Sequence, residues 1–186
     1  MADFTLAYKK TMGHEVGYVD DPDDTGGETY DGISRKYNPS WPGWALIDQY
    51  KPNFSKEIKA KLEALKKIFY KEKYWGINHL DDFESQEIAE ELFDTGVNMG
   101  VVRAAQFLQE SLNYLNKNGS LYSDLLVDGD IGSKTKSVLD IIMRRKDDAL
   151  LLKILNVLQA RQYLEYMKKD PTQEKFIRGW FNRVFI

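Results

Sequence analysis

His14-Glu15-Val16-Gly17-Tyr18-Val19-Asp20-Asp21-Pro22-Asp23-Asp24-Thr25-Gly26-Gly27-Glu28-Thr29-Tyr30-Asp31-Gly32-Ile33-Ser34 is the stretch on which the reading of the chain turns. It holds the carboxylates Glu15, Asp20, Asp21, Asp23, Asp24, Glu28 and Asp31, and no Lys or Arg lies between His14 and Arg35. Gly17, Gly26, Gly27, Gly32 and Pro22 interrupt it, so neither a helix nor a long strand runs through it. Gly26-Gly27 supplies the freedom for a tight bend, and Pro22 behind Asp21 favours a turn. A dense acidic loop binds Ca²⁺, holds a catalytic carboxylate or is a solvated turn.

Spacing speaks against calcium. An EF-hand loop alternates its oxygen ligands and closes on a Glu at position twelve, whereas these acids pair as Asp20-Asp21 and Asp23-Asp24. The catalytic reading draws on what lies upstream. Asp3 is a plausible N-cap, and Phe4, Ala7, Tyr8 and Thr11-Met12 recur at helical spacing, which predicts a first helix to about His14. Glu15 then falls at or just past the helix C-terminus, whose partial negative charge disfavours a second negative charge. Burial against Tyr18 or a Trp would act in the same direction. A Glu with a raised pKa is what a general acid needs to protonate a glycosidic oxygen near neutral pH.

These residues resemble the signature of glycoside hydrolase family 108, the N-acetylmuramidases of phage endolysin and secretion-activator type. That signature reads E-G-G-Y, D-D-P-x-D-x-G-G-x-T and G-I. It corresponds here to Glu15, Gly17-Tyr18, Asp20-Asp21-Pro22, Asp24, Gly26-Gly27, Thr29 and Gly32-Ile33. The resemblance implies that Glu15 is the catalytic acid. Val16 departs from the pattern, standing where the motif has its first glycine. Phage-type lysozymes are similar in a second respect: a Glu ends the first helix, an Asp follows after eight residues, and a Thr comes soon after. That pattern implies Asp24 as the second carboxylate and Thr29 as the residue that positions water.

Outside this stretch the sequence reads mainly as helix. The 186-residue chain has a net charge of −3 and no cysteine. Nucleic-acid binding is therefore not favoured, and neither a disulfide framework nor a thiolate metal site exists. The sequence predicts a short helix over 31–37 and a loop from Ser40 to Phe54 carrying Trp41 and Trp44. A helix over 55–74 follows, with an Ile58, Leu62, Leu65, Ile68 and Phe69 stripe, and its lysines read as a solvated face. Ser85 caps a buried helix that breaks at Gly100, and another helix runs over 101–115. Two more follow at about 134–145 and 147–168, the second apolar on so many sides that it belongs in the core. A last helix starts at Asp170-Pro171. Trp41 and Trp44 are candidates for sugar stacking, with pinning of the loop to the core as the alternative. Tyr18 and Tyr30 are further candidate substrate contacts, and Tyr74-Trp75 resembles the Y-W ending of related muramidases, which implies a place lining the cleft. Asn98, in F-D-T-G-V-N-M-G, is a candidate ligand contact, with close helix packing as its alternative. His79 has no second His or Cys nearby to share a metal, and no metal ligand set is assigned.

Residues from about 90 to 185 resemble the predicted peptidoglycan-binding segment of the same family. The matching strings are Phe93-Asp94, Val97 to Gly100, Phe107 to Gln109, Val127 to Gly132 with Thr135, Gly179-Trp180 and Asn182-Arg183. The implied fold is mainly α, an α+β lysozyme-like helical bundle with a small β-hairpin or loop at the active site. A catalytic region at 1–90 and a wall-binding region at 91–186 are expected to pack as one compact unit. The implied activity is cleavage of the β-1,4 bond between N-acetylmuramic acid and N-acetylglucosamine, without a cofactor. The partner is the glycan strand of peptidoglycan, and the chain is expected to be a monomer that neither binds nucleic acid nor inserts stably in a membrane. A lytic transglycosylase, or an inactive wall-binding or secretion-assisting protein, fits the same residues. The N-terminal residues lack a Sec pattern, so the expected route is synthesis in the cytoplasm of a bacterium or phage-infected cell. Holin-type or specialised export would then bring the protein to the wall.

Overall fold

The computed structural model describes residues 1–13, 17–20 and 27–184. The chain is mainly α-helical with a small antiparallel sheet, a lysozyme-like architecture. Two compact units form: Tyr8–Lys73, and Met1–Ala7 with Tyr74–Ile186. No helix among the described residues is long and apolar enough to cross a membrane.

Helix α1 (Phe4–Thr11) starts where Asp3 Oδ1 accepts from the Thr5 N–H at 2.6 Å. Strands β1 (Tyr18–Val19), β2 (Thr29–Tyr30) and β3 (Ile33–Ser34) form an antiparallel sheet in that order. Tyr18 pairs with Tyr30, and Tyr30 with Ile33. The helix expected over 31–37 is replaced by this hairpin. Asp31 and Gly32 have φ of 44° and 83°, the two positive values that a type I′ turn requires and that Asp-Gly supplies. A Cβ on Gly32 would also crowd the Tyr70 hydroxyl.

Helix α2 (Gly43–Tyr50) occupies much of the expected Ser40–Phe54 loop. Trp44 and Ile47, one turn apart, are both buried, and the Trp44 indole donates to the Asn38 carbonyl at 2.8 Å. This short amphipathic pattern was hidden between Pro42 and Pro52. Helix α3 (Lys56–Tyr70) is capped by Ser55, whose Oγ accepts from the Ile58 N–H. It continues as a π-helical turn, Lys71–Trp75. Its buried face is Ile58, Leu62, Lys66, Phe69 and Tyr70. Lys66 thus leaves the solvated face expected for the lysines, while Ile68 turns outward.

The other unit is built on α4 (Gln86–Met99), α5 (Val101–Tyr114), α6 (Ser133–Arg144), α7 (Asp148–Lys169) and α8 (Ile177–Phe181). Ser85 caps α4 through the Ile88 N–H, and Gly100, at φ 93°, separates α4 from α5. Helix α7 buries Leu151, Leu155, Leu158, Tyr163 and Met167 and packs against both α4 and α5. Phe4 joins this core edge-on to Trp75 and Phe93.

In the Tyr8–Lys73 unit, Gly43 lies against the Trp41 ring so closely that a Cβ would overlap it. Tyr30, Trp44 and Phe69 hold that ring in place. Overpacking therefore outweighs the helix propensity gained by alanine. Gly43→Ala should destabilise the protein by about 1–3 kcal/mol in urea unfolding, the usual scale of a forced core contact.

Candidate active site

Of the acidic side chains in the opening motif, Asp31 and Glu28 have described partners that fix them. Asp31 is 7% exposed. Its Oδ1 accepts from the Gly17 N–H at 2.6 Å and its Oδ2 from Lys66 Nζ at 2.8 Å. The Tyr70 hydroxyl donates to its carbonyl at 3.1 Å. Lys66, 2% exposed, also reaches Glu63 at 2.7 Å. Burial lowers the Lys66 pKa, but Asp31 and Glu63 together raise it above the ordinary lysine value, so it is a cation. The Tyr8 hydroxyl donates to Glu63 at 3.1 Å, and burial, with Glu63 adding to it, pushes that phenol well up.

Glu28 is the second node. It accepts from Arg35 at 2.8 Å, Lys51 at 2.9 Å and the Tyr18 hydroxyl at 2.9 Å. Arg35 in turn forms a two-toothed pair with Asp48, 2.7 Å on each side. Planar bidentate pairing of this kind fixes geometry as well as charge.

Between these nodes lies a pocket of about 290 Å³ lined by Gly17, Tyr18, Tyr30, Asp31, Pro52, Phe54, Lys59 and Glu63. That volume is near the lower end of small-ligand sites. Phe54 meets Tyr18 and Tyr30 edge-on. Aromatic groups beside a carboxylate and an ammonium suit a sugar ring, which has an apolar face and a hydroxylated rim. Phe54, Lys59 and Glu63 were not singled out in the sequence; only their convergence with Gly17 reveals them.

The structure brings together some of the sequence-derived candidates. Tyr18 and Tyr30 pair across β1 and β2 and line the pocket. Thr29 precedes Tyr30 on β2, with its hydroxyl donating to the Gly27 carbonyl at 2.9 Å. Glu15, Val16 and Asp24 lie outside the described residues. Trp44 and Trp75 are 3% and 0% exposed, so neither offers a ring face to a sugar; Trp44 takes the core role that was its alternative, and Trp75 is in the core rather than lining a cleft. Tyr74 is half-buried, and burial raises its pKa. Asn98 is exposed, with its amide donating back to the Asp94 carbonyl at 2.8 Å.

A family model described as Glycosyl hydrolase 108 matches residues 8–100, a span that includes the whole acidic motif and every residue of the pocket. The chain belongs to glycosyl hydrolase family 108. A second model, described as Predicted Peptidoglycan domain, matches residues 103–185. Among solved structures, SagA of Brucella abortus is similar at 26% identity and a TM-score of 0.58, covering 97% of this chain and 88% of that one. No curated protein matches.

Two strings of this family 108 chain that resemble wall-binding motifs have structural roles. Buried Gln109 donates to Asp128 Oδ1 at 2.7 Å and to the Asp130 carbonyl at 2.9 Å. It also accepts from the Gly129 N–H at 2.9 Å, so the D-G-D-I-G string is a clamped turn. Asp94 and Arg183, from opposite ends of the resemblance, pair at 2.8 Å, and Tyr163 stacks on Trp180 at 4.8 Å.

Glu28 gives the site a pH signature. Burial pushes its carboxyl up, but the bonds from Lys51, Arg35 and Tyr18 outweigh it and hold it below the ordinary 4.5. A depressed folded pKa contributes stability above the unfolded value, and that contribution is lost as pH falls through the folded one. Glu28→Gln should therefore lower Tm at pH 7 and flatten its fall on acidification below about 4.5. Melting curves against pH check this; parallel acid limbs for wild type and variant would remove Glu28 from the account.

Proposed function

We propose that the protein is an N-acetylmuramidase, hydrolysing the β-1,4 bond between N-acetylmuramic acid and N-acetylglucosamine in peptidoglycan. The carrying observation is that the family 108 match spans the Glu15 motif, whose next described residue, Gly17, lines a sugar-sized pocket. Residues 1–90 supply the chemistry, and residues 91–186 hold the protein on the wall. In this reading Glu15 protonates the leaving oxygen as positive charge builds on the anomeric carbon. Asp24 stabilises that charge or activates water, and Thr29 positions the water. Tyr18 and Tyr30 are the aromatic contacts retained for the sugar, with Phe54 added. The reaction needs no cofactor, and its site is the cell wall.

Clearing of purified sacculi with mass spectrometry of the products tests this reading. Reducing-end products with water added support hydrolysis. Anhydro ends would instead assign a transglycosylase, and sacculus binding without clearing would make the chain a wall-binding module. Glu15→Gln keeps the shape of the side chain but removes its transferable proton. Clearing should fall below a tenth of wild type, with sacculus binding and Tm nearly unchanged; greater residual activity would reject Glu15.

Asp24→Asn should slow clearing by ~10²-fold, the scale of a positioned acid or base, at little cost in stability. Asp20→Asn or Asp21→Asn should act mainly through Tm, because carboxylates before a proline commonly cap turns. Comparison of these variants for rate and melting identifies the second carboxylate. Normal clearing by Asp24→Asn, with a folded but inert Asp21→Asn, would transfer the role.

A further inference from the structure

The pairing of β1 with β2 continues one residue beyond the strands, to Gly17 opposite Asp31. In an antiparallel ladder, such a hydrogen-bonded pair exchanges two backbone bonds. Here one is ordinary: the Asp31 N–H donates to the Gly17 carbonyl at 3.0 Å. The other is substituted. Asp31 enters the hairpin turn at φ 44°, and its carbonyl accepts from the Tyr70 hydroxyl. Its carboxylate takes the Gly17 N–H at 2.6 Å instead. Both backbone groups of Gly17 are thus held by one residue.

That residue is itself held from α3 by Lys66, which Glu63 also engages. A buried ion pair contributes little net stability compared with apolar packing. Stability alone does not account for this arrangement. Its location does: Gly17 lines the pocket and directly follows His14-Glu15-Val16 in the chain. Gly17 is itself at φ 74°, so the backbone turns sharply at the clamped residue.

We propose that Asp31, locked by Lys66, is a positioning residue for the reaction: it fixes the backbone of Gly17, which follows Glu15 by two residues in the sequence. This inference rests on the assignment of Glu15 as the acid. A displacement of about 1 Å in a reacting group can cost ~10²-fold in rate without altering ground-state binding. The clamp therefore acts on kcat rather than KM.

The test compares two full-length double variants, Asp31→Asn with Lys66→Met and Asp31→Ala with Lys66→Met. Neither leaves an uncompensated charge on the Asp31–Lys66 pair, and they differ in whether residue 31 can accept from the Gly17 N–H. The Asn variant should clear sacculi within about fivefold of wild type. The Ala variant should lose ~10²-fold in kcat with KM within about twofold, at equal Tm, and its Gly17 amide should exchange faster with solvent. Equal kcat in the two variants overturns the proposal. If Lys66→Met prevents folding, Asp31→Asn and Asp31→Ala are compared with Lys66 retained, since Glu63 still pairs with it. A lower kcat for the Ala variant at unchanged KM and equal Tm then supports the clamp, and equal kcat overturns it. Wild-type clearing with inert Glu15→Gln and insensitive Asp31 variants rejects the clamp alone. A wild-type protein that clears nothing rejects the clamp and the hydrolase reading together.

Discussion

The Tyr8–Lys73 unit depends on one buried ion pair, Asp31 with Lys66. It joins a hairpin turn to α3, and through Gly17 it ties the acidic motif to the same helix. Removing either partner would leave the other charged in a site with almost no solvent, which is the costly way to break such a pair. Glu63, Tyr8 and Tyr70 complete the shell, so few of its polar groups are left to compete for water. Sequence, turn, helix packing and pocket shape meet at these two side chains.

Charge is distributed unevenly around the pocket. Glu28 and Asp31 are occupied by cations, and the residues holding them are structural in effect. Acids in a cleft are often read collectively as a negative field. Here, two of them are held in place by bonded cations. The family 108 match spans this whole stretch of sequence.

Features set by local chemistry were readable in the sequence. Ser85 caps a helix where it was expected, Gly100 breaks one, and α7 forms the core its composition implied. Lys66 was unreadable because its partner lies 35 residues away, and a lysine among lysines on a helix normally faces water. The Asp31-Gly32 turn carried a hairpin signature, but the expected helix over 31–37 obscured it. Trp44 and Trp75 show the limit of residue type: an aromatic suited to a sugar is equally suited to a core, and only burial distinguishes them. The family motif located Glu15 without any of this geometry, whereas Phe54, Lys59 and Glu63 required it.

The two compact units are not consecutive in the chain. Tyr8–Lys73 is continuous, whereas its companion is assembled from Met1–Ala7 and Tyr74–Ile186. Phe4 packs on Trp75 and Phe93, made some seventy and ninety residues later, and Asp94 finds Arg183 only after a further 89 residues. Chains emerge from the N-terminus and domains tend to fold as they appear. The order of synthesis therefore differs from the order of assembly. The continuous unit has all its parts as soon as Lys73 has emerged. The discontinuous one keeps Met1–Ala7 waiting until the residues beyond Tyr74 have followed.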